Sequence, residues 1–109
     1  MSRKIYNKLI RDKIPEIIRS KGSIPKVSVL TEKKYRKALK EKMGEEAKEL
    51  LEAKTKNDVL NELADIQELI KAVAKNHKIA IKAVENKRKK KVKERGSFEK
   101  KIFLRYVDE

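Results

Sequence analysis

Through the middle of the chain, apolar residues return every three or four positions, which is the period of an amphipathic helix. Leu39, Met43, Ala47 and Leu50 mark one such face, and Val59, Leu63, Ile66, Leu69, Ile70 and Val73 mark another. Thr31 suits the N-cap of the first helix, predicted to run to about Ala53. The stretch "KTKND" interrupts the pattern, and Asn57 or Asp58 can cap a second long helix ending near Asn76. A third helix is predicted from about Ile79 to Arg95, stopped by Gly96. Upstream, Pro15 in a first-turn position and Gly22 in a post-helical position place a short helix at about 14–21. The period changes to two in "IPKVSVL", residues 24–30, which predicts a short strand. The second half of "SFEKKIFLRYV" is predicted to lie beside residues 26–30 as another strand.

Composition agrees with a mainly α fold. Aromatic residues make up 5%, Trp is absent, and Gly and Pro are scarce. Without repeats or a low-complexity linker, the 109 residues read as a single domain, 1–109. A chain this short gains considerably from sharing its core, so a helical bundle completed by oligomerisation is expected. The absence of cysteine excludes disulfides, thiolate metal sites and cysteine nucleophiles. No signal-like or membrane-spanning apolar run is found, and the expectation is a cytoplasmic protein with no membrane partner.

Charge sharpens the picture because its two signs are segregated. The formal net charge is +14, with lysines crowding "NKRKKKVKER", residues 86–95, while carboxylates concentrate in residues 45–68. The excess predicts attraction for nucleic acid or for nucleotide phosphates. At 100° per residue, Glu46 falls at the edge of the first long helix's apolar face, and Glu49 follows one turn on. In the second helix, Glu62 falls within the apolar face itself, and Asp65 follows at i+3. Glu52 and Glu68 point nearer to solvent. A short connection makes the two helices antiparallel neighbours, bringing the four carboxylates together. Such a group is costly unless protonated or neutralised, and oxygen-only ligands suit Mg²⁺, with Mn²⁺ as a substitute.

At these residues the sequence resembles the all-α nucleotide pyrophosphohydrolases of the MazG and phosphoribosyl-ATP pyrophosphohydrolase superfamily. The signature EExxE stands here as "EEAKE", residues 45–49, and ExxD as "ELAD", residues 62–65. "YNKLIRDKIPEII" and "KRKKKVKERGSFEKKIFL" look like the flanks of one subgroup. The resemblance implies Mg²⁺-dependent cleavage between the α and β phosphates of a nucleoside triphosphate, giving a nucleoside monophosphate and pyrophosphate. It implies metal ligation by Glu46, Glu49, Glu62 and Asp65, with Glu45 either a supporting group just outside the ligands or an orienter of the attacking water. It also implies a homodimer or homotetramer. Histidine-pathway members carry an aromatic-His pair after the ExxD acid, whereas "IQELI", residues 66–70, stands here, which favours a more general nucleotide substrate.

Catalytic roles therefore fall to Glu45 and Glu49, either of which could hold or accept a water proton. Arg11, Lys13, Lys87 and Arg95 are the candidate phosphate clamps. Tyr6, Phe98 and Tyr106 are more economically read as packing residues than as base-stacking ones, and His77 as a helix-end cap. A nucleic-acid-binding module built on residues 86–101 is the rival reading, and a solvent-facing Glu62 would favour it.

Overall fold

The computed structural model describes residues 2–109. Its order is α1 (Ile14–Ser20), α2 (Glu32–Glu52), α3 (Lys56–Asn76) and α4 (Ile81–Arg95). Thr31 caps α2 by accepting from the Lys34 N–H at 3.3 Å. The cap of α3 is Thr55, which accepts from the Asp58 N–H at 3.0 Å, and not Asn57 or Asp58. A threonine two to three residues earlier lets the helix open sooner and leaves Asp58 in its first turn, where a carboxylate favours the dipole. His77 ends α3 as expected, its N–H bonded to Val73 O at 3.0 Å.

The helices α2 and α3 form an antiparallel pair that carries most of the packing. One end is tied by a polar lock: Arg36 Nε donates to Asn76 Oδ1 at 2.8 Å, and Asn76 Nδ2 donates to Glu32 Oε2 at 3.2 Å. Leu39 of α2 and Ala74 of α3 are the buried apolar residues, with Met43, Leu50, Val59, Ile66, Leu69 and Val73 half-buried around them. α4 touches α3 alone and buries none of its residues.

The two expected strands do not form: among the described residues there is none, and residues 24–30 and 98–107 are irregular. Val29 is 99% exposed, and Ile102, Phe103 and Tyr106 are also open to solvent. Alternation supplies side chains for a sheet, but a two-stranded ribbon with no surface to pack against is marginal in water.

The molecule is extended, 62 × 35 × 28 Å, with a radius of gyration of 18.5 Å. A compact domain of this length would be near 13 Å. Leu60, Leu63 and Ile70 lie along α3 with their side chains exposed, so its apolar stripe is wider than α2 covers. Among the described residues, no helix is long and apolar enough to cross a membrane.

Candidate metal centre

The α2 residues that face α3 recur as Leu39, Lys42, Met43, Glu46 and Leu50, so Glu46 stands at the middle of the seam, while Ala47 is exposed. Glu46 is only 5% exposed. Across from it, α3 supplies half-buried Glu62 and, one turn on, Asp65. One carboxylate oxygen each from Glu46, Glu62 and Asp65 lie within 4.8 Å of one another. Glu45, Glu46 and Glu49 form a second such triplet, sharing Glu46, with Glu49 at the exposed rim. The structure thus brings together the four carboxylates expected to meet, plus Glu45.

Electrostatics mark this convergence as incomplete. Burial above all, then the neighbouring Glu62 carboxyl, pushes Glu46 above the ordinary carboxylate range. Glu49 is pushed up chiefly by the neighbouring Glu46 carboxyl, then by desolvation. Glu46 Oε2 and Glu62 Oε2 are buried and have no hydrogen-bond partner. A buried polar atom without a partner costs about 1–3 kcal/mol, more if charged. A hard divalent cation would satisfy both oxygens at once, and the all-oxygen donor set fits Mg²⁺ or Mn²⁺.

Basic side chains offset part of the charge. Lys42 Nζ lies 3.2 Å from Glu45 Oε1 and 3.6 Å from Glu46 Oε1. The N-terminal arm contributes Lys8 Nζ, 3.7 Å from Glu45 Oε1, and Arg11 Nη2, 2.6 Å from Asp65 Oδ1. Of the four expected phosphate clamps, Arg11 alone pairs with the cluster. Lys13 precedes α1, Lys87 and Arg95 lie exposed on α4, and none of the three pairs with a carboxylate among the described residues. Sequence reasoning missed Lys8 and Lys42. Lys42 was findable, standing three and four positions before Glu45 and Glu46; Lys8 is brought in by the chain path and leaves no local signal.

Beside the cluster, a cleft of about 230 Å³ is lined by Glu49, Glu52, Ala53, Asp58, Asn61 and Glu62. Of the clustered carboxylates, Glu49 and Glu62 line it, which gives a ligand room to approach that side of the cluster.

With helices as its only regular elements among the described residues, and its EExxE and ExxD acids converging across an antiparallel pair, the chain has the all-α architecture of the MazG-like superfamily. The family model described as phosphoribosyl-ATP pyrophosphohydrolase matches residues 6–95, and the chain belongs to that family. Over 52 residues the chain is 42% identical to an uncharacterized protein of Mycolicibacterium smegmatis, covering 48% of this chain and 53% of the other. The match thus spans about half the length of that relative. No solved structure matches.

Proposed function

We propose that the protein is a Mg²⁺-dependent nucleotide pyrophosphohydrolase that cleaves the α–β phosphate bond of a nucleoside triphosphate, releasing nucleoside monophosphate and pyrophosphate. The observation that carries this reading is the pair of buried, unpartnered oxygens on Glu46 and Glu62, two residues whose carboxylates approach within 4.8 Å across α2 and α3 within the family's acidic signature. Glu46, Glu49, Glu62 and Asp65 would hold the ion, with Mn²⁺ able to substitute. An ion bound there supplies charge neutralisation for phosphate oxygens and makes a bound water easier to deprotonate.

The chain's own residues divide the remaining work. Glu45 is fixed at the mouth of the cluster by Lys42 and is placed to orient or deprotonate the attacking water, with Glu49 as its neighbour at the exposed rim. Arg11 is the best-placed phosphate clamp, and Lys13, Lys87 and Arg95 surround the site only if a neighbouring chain or a rearrangement brings them in. The uncovered stripe of α3 and the extended shape support assembly as a homodimer or homotetramer in which bundles are completed by a second copy. The protein would act in the cytoplasm, and no step requires nucleic acid.

Phosphoribosyl-ATP is the second substrate reading, and the family match favours it at least as strongly as a simple triphosphate. Both undergo the same bond cleavage at the same carboxylates. ³¹P NMR of products from phosphoribosyl-ATP and a panel of ordinary and modified nucleoside triphosphates, each with Mg²⁺, separates them. Pyrophosphate with a monophosphate is the expected product pair. Orthophosphate release would refute α–β cleavage, and no turnover of any member would refute the enzyme reading. The nucleic-acid module draws support only from the exposed lysines of α4, whereas the buried Oε2 of Glu62 is unexplained by it.

A further inference from the structure

The N-terminal arm crosses the chain to reach the cluster, and its polar contacts there are both ion pairs to the site's carboxylates. Arg11 and Asp65 are 54 positions apart in sequence yet meet at 2.6 Å. Residues 2–13 precede the first helix and are exposed apart from half-buried Leu9 and Ile10. Asn7 takes a left-handed conformation, φ 46, that asparagine tolerates better than most residues, and so turns the chain directly before Lys8. α1, which follows, packs on no other helix. The arm is therefore held to the acidic seam with little helical packing to fix it, whereas Lys42 belongs to α2 and stays with it.

We infer that Lys8 and Arg11 act as a displaceable counter-ion clamp: they neutralise Glu45 and Asp65 while no divalent cation is bound, and are freed toward the substrate's phosphates when one binds. This rests on the cluster being the cation site proposed above. Asp65 offers its oxygen either to the guanidinium or to the ion, so the two compete and their affinities are linked with opposite sign. Arginine suits the second task because its planar fork pairs equally with carboxylate or phosphate. Lys8 thereby becomes a substrate-binding residue alongside Arg11, and ion and nucleotide bind cooperatively because the first releases the groups that hold the second.

The test is calorimetric titration of MgCl₂ and MnCl₂ into the full chain, for wild type, Arg11→Gln, Lys8→Gln and the control Lys37→Gln. Lys37 is an exposed α2 lysine paired with Glu41 only, so its variant reports the bulk effect of one lost charge. Removing a half-exposed competing ion pair should tighten ion binding about threefold in Arg11→Gln, and less in Lys8→Gln. Binding of Mg-tripolyphosphate should weaken about tenfold in both, as expected for lost charge-assisted hydrogen bonds. Trypsin should also cut the wild-type arm at Lys8 or Arg11 faster once Mg²⁺ is added. Ion affinities of both arm variants equal to or weaker than those of the control would overturn the clamp while leaving the metal site intact. Failure of wild type to bind either ion would remove the site itself, and the clamp with it.

Discussion

Glu46 concentrates the physics of the site in one side chain. Its position was legible only in part: spacing puts it at the edge of the apolar face, and the structure puts it at the centre of the seam. The reason is that α2 meets α3 through Leu39, Met43, Glu46 and Leu50, leaving Ala47 outside, so a small apolar residue misdirected the helical wheel. Its raised carboxyl pKa has a definite sign for stability. A group whose folded value lies above its unfolded value favours the folded state below the unfolded value, and that advantage is lost as pH rises through the folded value. In metal-free protein, wild type should therefore gain Tm relative to Glu46→Gln as pH falls from neutral toward the ordinary carboxylate range around 4.5. Added Mg²⁺ should flatten this difference, since it neutralises the same carboxylate. Thermal melts of both proteins across that range check it, and a wild-type disadvantage growing toward acid would contradict the assigned burial.

At the scale of elements, the helices were readable because apolar period and caps agreed, and the misreadings have separate causes. The cap of α3 moved to Thr55 because any of three nearby polar residues could serve, and only geometry selects one. Thr55→Ala should cost about 1 kcal/mol of stability, seen in chemical denaturation, whereas Asn57→Ala should cost much less. The strands at 24–30 and in the tail failed because alternation describes a face without supplying the surface to cover it. Gly96, by contrast, ends α4 as the sequence implied: it adopts φ 85, and its N–H bonds to Val92 O at 2.8 Å. Gly96→Ala should fray that terminus, lowering helicity by circular dichroism without abolishing the α2–α3 pair.

The whole molecule shows a chain whose best-packed part is a pair of helices with a carboxylate seam, and whose apolar stripe on α3 is left exposed. Local sequence leaves that exposure unmarked, because Leu60, Leu63 and Ile70 have the same spacing whether or not a neighbouring helix packs on them. Light scattering should give a mass of two or four chains, and Leu63→Glu should reduce it, since a carboxylate there cannot be buried without a partner. A monomer at micromolar concentration would contradict the shared bundle. The acidic and basic segregation resolves at this scale too. Carboxylates collect where two helices meet, and the cations that reach them come from α2 and from the N-terminal arm, not from the lysine-rich α4.

If the Glu46–Glu62 seam holds a catalytic cation, turnover must depend on both the ion and these carboxylates. Mg²⁺-dependent pyrophosphate release, measured for wild type and Glu62→Gln on whichever nucleotide of the panel turns over, tests it most directly. Since losing even an outer partner of a metal costs 10- to 100-fold, the variant should lose about 100-fold or more with its melting behaviour preserved. Wild-type release that persists in excess chelator, or a Glu62→Gln variant as active as wild type, would contradict it.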